Sequence, residues 1–423
     1  MKRHYPEIGL HVPTLLLPRA DVPLESWSVV ACDQYTSQPE YWQETGQLVG
    51  DRPSTLHLIL PEAQLGREDR AEATATINGR MVDYLNGGIL EPRPPGFMLV
   101  ERGVGRAVPR RGLVVALDLE AFDYRPGARE LIRSTEGTDR NRLPARIAVR
   151  RDAALETPHI MVLIDDPGRT VIEPLFQHDL ASAYDFELMQ GGGRLRGWRV
   201  DDPAMIDGVA GRLAALRAGE PPLIYAMGDG NHSFAAAKAV WEEIRAKVPA
   251  DHPGRYALVE LVNVHDEALD FEPIHRLVDG VPPEDVLGAM AAHGFRRRTF
   301  ASPEAWATSR QQPGLGHRIP YVAGRELGVV EMAAPGHLLP TATLHDFLDA
   351  FLDRTGAGID YIHGDDVLLA LAAGEGRVGF LLPAMDKNDL FRTVIEDGAT
   401  PRKTFSLGEP HEKRYYLECR RIR

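Results

Sequence analysis

The chain has 423 residues, of which 43% are hydrophobic and 26% are charged, and its formal net charge is −13. This length and composition predict a globular protein with two domains, or one large domain with an appendage. The acidic charge argues against general nucleic-acid binding, which needs a basic surface, and no apolar run approaches the length that spans a bilayer.

The cysteines and the N-terminus bear on the compartment. Cys32 and Cys419 lie near opposite ends of the chain and lack the spacing of a metal site. We expect each to be a buried thiol, which fits a reducing cytosol and a cytoplasmic protein. The apolar patch at 15–17 is short and bracketed by Pro13 and Pro18, so a secretory signal is not predicted.

Apolar runs and the spacing of hydrophobic residues predict the secondary structure along the chain. Strands are predicted at 29–32, 55–60, 97–100, 112–117, 160–164, 171–175, 223–227, 256–265, 321–323, 326–332 and 377–382. Helices are predicted at 67–85, 204–218, 234–245, 283–293, 344–351 and 365–373. We therefore expect a mixed α+β fold, with a body at 1–280 and a smaller α+β part at 281–423.

A polar loop at 33–37 follows the first predicted strand. Polar side chains at the carboxyl end of a buried strand often line a site in α/β folds. The alternative is that Asp33 only closes a turn.

The region 125–151 concentrates positive charge in an acidic chain. Its eight arginines are Arg125, Arg129, Arg133, Arg140, Arg142, Arg146, Arg150 and Arg151. Forked guanidinium groups match phosphate oxygens, and hydroxyl groups nearby add neutral donors. We therefore expect an anionic ligand here, bound by Arg133, Thr135 and Thr138. The alternative is a solvated arginine face that pairs with acidic residues.

The most informative stretch is the turn 228–231, between a predicted strand and an Ala-rich helix. Glycines on both sides of Asp229 indicate backbone angles or close approaches that a Cβ would prevent. Asn231 and Ser233 are both good N-caps, and the free N–H groups of a helix start bind anions. An ordinary connection between strand and helix is the alternative, but it leaves His232 unexplained.

Two later segments supply further candidates. The strand predicted at 256–265 ends in His265, which two converging strands would bring near Asp229 and His232. The segment 401–414 is basic, bears hydroxyl groups and is loop-like, so we expect it to fold back over an anionic ligand. The alternative is an ordinary charged C-terminal segment.

Several of these segments together resemble one family, the bacterial "domain of unknown function 1015" proteins. The segments that carry the resemblance span nearly the whole chain, at 29–39, 133–138, 158–161, 228–233, 256–260, 271–276 and 401–404. Other members write the central turn as Asp-Gly-His-His-Arg, which is similar to the signature of free serine kinases. The resemblance implies a partition protein B/sulfiredoxin-like core elaborated with extra strands.

In that wider superfamily such a turn cradles the phosphates of a nucleotide, so the resemblance also implies ADP or ATP as a ligand. Asp229, Gly230 and His232 match the signature, whereas Asn231 and Ser233 depart from it. Ser233 stands where the signature has its arginine, so a basic residue from another segment would have to contact the phosphate instead. The candidates are Arg133, Arg142 and Lys403.

The leading hypothesis is an enzyme that acts on a phosphorylated small molecule or nucleotide by phosphoryl transfer. A link of this enzyme to serine metabolism rests only on the analogy with the free serine kinases. Asp229 would hold Mg²⁺, and Glu136 or His232 would act as general base. The alternatives are a hydrolase, metal-dependent or metal-free, built on Asp229, His232 and His265, and a nucleotide-responsive regulator. The oligomeric state is left open. The expected phosphate-binding residues are Gly230, Asn231, Ser233, Arg133, Thr135, Thr138, Arg142 and Lys403.

Overall fold

The structure is a computed structural model that describes residues 1–64, 70–103, 105, 107–125, 127–310, 312, 314 and 316–423. Its chain divides into two compact units, unit 1 (residues 1–270 and 408–423) and unit 2 (residues 271–407). The sequence predicts a boundary at residue 280, whereas unit 2 begins at residue 271, the first residue of a nine-residue strand. The C-terminal residues 408–423 belong to unit 1.

The helices and strands are numbered in chain order. The strands are β1 (His4–Tyr5), β2 (Leu10–His11), β3 (Leu16–Pro18), β4 (Leu90–Pro92), β5 (Phe97–Arg102), β6 (Arg110–Asp118), β7 (Ile132–Ser134), β8 (Leu155–Glu156), β9 (Met161–Ile164), β10 (Ser182–Leu188), β11 (Gly193–Val200), β12 (Tyr225–Asp229), β13 (Tyr256–Asn263), β14 (Phe271–Asp279), β15 (Arg296–Phe300), β16 (His317–Ala323), β17 (Glu326–Met332), β18 (Gly358–His363), β19 (Val378–Phe380), β20 (Phe405–Leu407) and β21 (Arg420–Arg421). The helices are α1 (Pro39–Val49), α2 (Arg70–Asn86), α3 (Leu143–Asp152), α4 (Pro203–Ala215), α5 (Asn231–Ile244), α6 (Pro283–Ala292), α7 (Pro303–Arg310), α8 (Pro340–Thr355), α9 (Asp365–Ala372) and α10 (Asp389–Glu396).

The main sheet of unit 1 has ten strands, in the order β10-β11-β5-β6-β13-β9-β12-β7, with β2 pairing β6 and β1 pairing β2. Successive residues of a strand point to opposite faces. In β6, Leu113, Val115 and Leu117 accordingly lie in one hydrophobic cluster, and Val114 and Ala116 lie in another. The sheet is covered on both faces, which explains why its central strands read as continuous apolar runs.

Different parts of the chain cover the two faces. Leu213 of α4 and Phe234 and Trp241 of α5 pack in one cluster. Met81 of α2 and Leu417 of the C-terminal segment pack in the other. The burial of Phe234 and Trp241 anchors α5 against the sheet, so the position of its first turn is set by the core.

The predicted strand at 55–60 is wrong, because these residues begin with a 3-10 turn, Thr55–Leu58. Ser54 Oγ accepts the N–H of Leu56 at 3.2 Å and donates to Trp27 O at 3.1 Å. A side chain therefore supplies the partner that a neighbouring strand would otherwise supply.

The predicted strand at 171–175 is wrong for the same physical reason. The carboxylate of Asp166 accepts the N–H groups of Thr170 at 2.6 Å and Val171 at 2.8 Å. The chain then continues into a 3-10 turn, Glu173–Gln177, instead of a strand.

Unit 2 contains a seven-stranded sheet in the order β15-β17-β16-β19-β14-β18, with β20 pairing β14. Helices α6 and α8 pack Leu287, Leu344 and Leu348 with Ile319 and Val330 of the sheet. The mixed α+β fold predicted from the sequence is confirmed.

Two further expectations concern the membrane and the thiols. In the described part of the chain, no helix combines the length and apolar character that crossing a membrane requires. Both cysteines are free thiols. Burial raises the pKa of Cys32 to about 12 and also raises the pKa of Cys419, so both thiols are neutral at pH 7.

Candidate functional site

The first turn of α5 forms the floor of the candidate site. Gly230 joins β12 to α5 with a φ of 78°, in the left-handed region that favours glycine. Phe234 N–H donates to Gly230 O at 3.0 Å, which is the first bond of the helix. The N–H groups of Asn231, His232 and Ser233 precede that bond and have no acceptor within the helix. Free N–H groups and the positive end of the helix dipole favour an anion at such a position.

We expect Gly230→Ala to destabilise the protein by about 2 kcal/mol. A Cβ on Gly230 would lie 3.0 Å from Ile160 Cα, in addition to the strain of a left-handed φ. Denaturant unfolding measures the change in the free energy of unfolding. The matched control is Gly211→Ala in α4, where a Cβ would have no atom within 4 Å. That variant should gain about 0.5–1 kcal/mol, because alanine favours a helix; equal effects would contradict the prediction.

A lysine from the C-terminal segment of unit 1 lies beside this turn. Lys413 Nζ is 3.4 Å from Asp229 Oδ2. Burial works against the charge of Lys413, but the carboxylates of Asp229, Asp33 and Glu136 outweigh it and raise the pKa of Lys413. Lys413 is therefore an ammonium group among three carboxylates at neutral pH. Of the predicted catalytic residues, Asp229 thus contacts Lys413, and Glu136 acts on it through its charge.

The sequence predicts a cation from the segment 401–414 but selects Lys403. Lys403 belongs to unit 2, where its carbonyl oxygen accepts a hydrogen bond from Arg276 at 3.0 Å. Its assignment to a phosphate stays a prediction. Lys413 lies in the same basic segment, and no local pattern distinguishes the two lysines.

A histidine known only from the family resemblance also contributes. His159 Nε2 lies 2.9 Å from Ser233 Oγ. Burial lowers the pKa of His159, although the carboxylates of Asp33 and Asp229 oppose this. Burial acts to raise the pKa of Asp33, but His159, a hydrogen bond from Gln34 and Lys413 together outweigh burial, so that the pKa is lowered. The charge of Asp33 therefore acts on His159 and Lys413, but the strand predicted at 29–32 is reduced to an isolated bridge between Val30 and Arg414, and a role of this loop in the site stays a prediction.

One ring nitrogen of His232 is occupied by a hydrogen bond from the backbone. Its Nε2 accepts the N–H of Asp139 at 3.2 Å, so in the neutral ring the hydrogen is on Nδ1. Burial, together with the charges of Arg142 and Arg146, lowers the pKa of His232 to about 4. A neutral imidazole that presents Nδ1–H suits binding to a phosphate oxygen better than removal of a proton.

Two predicted phosphate ligands, Arg133 and Thr135, donate hydrogen bonds to backbone carbonyl groups. Arg133 donates to backbone carbonyl groups that include those of Arg129 at 3.1 Å and Pro221 at 2.7 Å. The Thr135 hydroxyl donates to Met227 O at 2.6 Å. These bonds tie β7 and the loop after it to β12 and the segment before it. A role of Arg133 and Thr135 in phosphate binding stays a prediction.

Other members of the arginine-rich region remain near the site. Arg142 forms an ion pair with Glu62 at 2.6 Å, and Glu62 also pairs with Arg146. Both arginines act on the pKa of His232, so their charge reaches the first turn of α5. Thr138 Oγ1 is buried and has no hydrogen-bond partner among the described residues. Arg142 and Thr138 therefore stay in the proposed site.

The predicted hydrolase set does not assemble. Asp229 pairs with Met161 at the start of β9, whereas His265 Nε2 lies 2.7 Å from Asp165 Oδ1, beyond the end of that strand. The step from residue 161 to residue 165 spans roughly 13 Å at about 3.3 Å per residue. His265 thus lies at the opposite end of these adjacent strands from Asp229, so the structure does not place it beside Asp229 and His232 as the hydrolase hypothesis expects.

Mg²⁺ was expected at Asp229. Among the described residues, no three or more His, Cys, Asp or Glu side chains are grouped to hold a metal ion. Mg²⁺ often uses only one or two protein carboxylates and takes its other ligands from phosphate and water. Asp229 fits that limited role: Oδ1 accepts the N–H of Gly230 at 2.8 Å, and Oδ2 contacts Lys413 at 3.4 Å. A metal ligand at Asp229 stays a prediction.

Comparison with known proteins gives one family and several distant structures. A family model described as "Protein of unknown function (DUF1015)" matches residues 15–350. No curated protein is detectably similar to the chain.

Three similar solved structures are all distant. A mutant of free serine kinase in complex with AMP has a TM-score of 0.43 and 12% identity, with 73% of this chain and 92% of that chain covered. A conserved hypothetical protein from Pyrococcus furiosus has a TM-score of 0.38 and 12% identity, with 70% and 91% covered. SbnI with C-terminal truncation, from Staphylococcus aureus, has a TM-score of 0.39 and 10% identity, with 70% and 82% covered. Similarity at this level carries no argument about activity.

Proposed function

The chain belongs to the DUF1015 family, whose description leaves the activity open, and we propose that it transfers a phosphoryl group between a nucleotide and the hydroxyl group of a small molecule. The observation that carries the proposal is the contact of Lys413 with Asp229, the residue before the turn into α5. The ammonium group of Lys413 and the free N–H groups at the start of α5 would then act on the same bound group. Phosphoryl transfer depends mainly on such positioning and charge stabilisation.

The first turn of α5 would bind the transferring group. The N–H groups of Asn231, His232 and Ser233 would donate to its oxygens, and Lys413 would balance its charge. The Nδ1–H of His232 would donate to a second oxygen, because Nε2 already accepts from the backbone. Arg142 adds positive potential from the side, since its charge already acts on His232.

Glu136 is the proposed general base. His232 is less suitable, because its acceptor nitrogen is engaged. The charge of Glu136 acts on Lys413, which the proposal places beside the phosphate. A carboxylate oxygen of Glu136 would take the proton of the acceptor hydroxyl. The hydroxyl oxygen would then bond to phosphorus, and the bridging oxygen of the nucleotide would leave with the bonding electrons.

ADP or ATP is the proposed phosphoryl donor, and the cytoplasm is the proposed compartment. Mg²⁺, held by Asp229 and the nucleotide phosphates, would neutralise charge on the transferring group. Asp229 would then exchange part of its contact with Lys413 for the ion.

A transfer assay tests this function. Purified protein would be incubated with ADP or ATP, Mg²⁺ and a panel of small alcohols and phosphoesters, and transfer would be followed by phosphorus NMR. We expect turnover by the wild type and a loss of about 100-fold in Asp229→Asn. The matched control is Asp165→Asn, because Asp165 contacts His265 beyond the far end of β9. Equal turnover in all three proteins would overturn the proposal, and nucleotide binding without transfer would favour a regulator.

A further inference from the structure

Next to the proposed phosphate site, unit 1 contains a cavity of about 140 Å³. Its lining includes apolar side chains from three parts of the fold, among them Leu58, Met81 and Val149. His159 and Ser233 belong both to this lining and to the candidate site. A molecule held at the first turn of α5 can therefore extend directly into the cavity.

The charged side chains in the cavity wall are already paired. Glu62 forms ion pairs with Arg142 and Arg146. Arg150 Nη1 lies 2.7 Å from Glu156 Oε2. Among the charged residues that line the cavity, the carboxylates of Glu62 and Glu156 balance the guanidinium groups of Arg146 and Arg150, so the lining itself carries no net formal charge.

The thiol in the same wall is also uncharged. Burial raises the pKa of Cys32 to about 12, so it remains a thiol at neutral pH and behaves as a small hydrophobic group. The cavity is therefore suited to an uncharged, apolar group.

The volume limits the size of that group. An engineered apolar cavity of about 150 Å³ is known to bind benzene, so a cavity of this size holds roughly one six-membered ring. We propose that the cavity binds the apolar group of the phosphoryl acceptor, and that the acceptor is a small alcohol carrying one six-membered ring or a branched alkyl group. This inference rests on the proposed function, and it adds the chemical class of the substrate.

The position of Ser233 favours the acceptor over the nucleotide as the occupant. Ser233 lines the cavity and also contributes an N–H group to the first turn of α5. The apolar group must therefore begin within a few bonds of the phosphate. A nucleobase is separated from its phosphate by a ribose, and the base and ribose together exceed the volume of one six-membered ring.

Calorimetric titration of the wild type tests the inference without requiring turnover. The ligands are benzyl phosphate, methyl phosphate and inorganic phosphate. We expect benzyl phosphate to bind on the order of 50-fold more tightly than methyl phosphate, because its ring is removed from water. Methyl phosphate and inorganic phosphate should bind alike. Equal affinities for the benzyl and methyl esters would overturn the inference.

A pair of variants on α3 locates the effect. Ala145 lines the cavity, so Ala145→Leu should remove most of the preference for benzyl phosphate and leave inorganic phosphate binding unchanged. Ala148, on the same helix, is exposed and is not part of the cavity lining, so Ala148→Leu should behave as the wild type. A benzyl preference that survives Ala145→Leu would place the ring elsewhere and overturn the inference.

Further outcomes separate this inference from the proposed function. Displacement of benzyl phosphate by free adenosine would assign the cavity to a nucleobase and overturn the inference. Tight binding of benzyl phosphate without transfer from ADP or ATP to benzyl alcohol would support the cavity and contradict the proposed function. If no phosphate compound binds, the proposed phosphate site fails, and benzyl alcohol against methanol then tests the cavity alone.

Discussion

Lys413→Met is expected to lower turnover of the proposed phosphoryl transfer by about 10²- to 10³-fold, the usual effect of removing a donor that stabilises developing charge. Lys413 Nζ contacts Asp229 at 3.4 Å, and the charges of Asp33 and Glu136 act on it as well. Without the ammonium group, a phosphate would meet three carboxylates with less positive charge to balance them, since Arg142 and Arg146 already pair with Glu62. Steady-state kinetics with saturating nucleotide measure the loss.

Two other lysine variants make this result interpretable. Lys247 is exposed and lies just after α5, so Lys247→Met should keep wild-type turnover. Lys403→Met tests the residue that the sequence favours. Full activity in Lys413→Met together with inactive Lys403→Met would show that the sequence-based choice was right and that our site is wrong. Circular dichroism of each variant separates loss of folding from loss of function.

His232→Ala is expected to weaken phosphate binding by about 10- to 100-fold. A hydrogen bond to a charged group contributes about 1.5–3 kcal/mol, and the variant removes the Nδ1–H donor. Calorimetric titration with inorganic phosphate at pH 7 measures the change. The control is His178→Ala, because His178 is an exposed histidine of the same unit. Unchanged affinity in His232→Ala would exclude a role of this imidazole in binding.

The same histidine should make stability depend on pH. Burial and the charges of Arg142 and Arg146 lower the pKa of His232 to about 4 in the folded protein, from 6.5. The unfolded chain therefore takes up the proton first as the pH falls. The contribution of His232 to the free energy of unfolding is therefore complete above about pH 6.5 and is lost progressively as the pH falls toward about 4.

Urea unfolding between pH 7 and pH 4 measures this dependence. Because other buried histidines titrate in the same direction, the comparison must be between the wild type and His232→Gln, which takes up no proton. We expect the variant to lose less stability than the wild type over this range. Parallel curves for the two proteins would contradict the lowered pKa of His232.

The central strand, turn and helix could be predicted from the sequence because each depends on neighbouring residues. The apolar run before Gly228 forms β12, Gly230 takes the left-handed φ that a tight turn needs, and α5 begins at Asn231. The predicted strands at 55–60 and 171–175 failed where a nearby side chain bonded the backbone. Apolar composition alone does not reveal such local competition.

The functions of the arginines could not be separated in the same way. Arg133 and Arg142 are chemically identical in the sequence, yet one binds backbone carbonyl groups and the other pairs with Glu62 near the first turn of α5. Which carbonyl groups or carboxylates face a guanidinium group depends on how β7 and α3 pack. A count of arginines therefore predicted positive charge near the site but not which residue would supply it.

The sequence by itself determined the mixed α+β class, the family and the start of a helix after the glycine-rich turn, because these follow from local pattern and motif. Only the tertiary structure decided that Asp33, His159 and Lys413 lie around that helix start and that His265 does not. These residues come from distant parts of the chain, and the pairing of β9, β12 and β13 and the return of the C-terminal segment to unit 1 set their positions. Contacts of this kind arise from packing of the whole sheet, which no short stretch of sequence encodes.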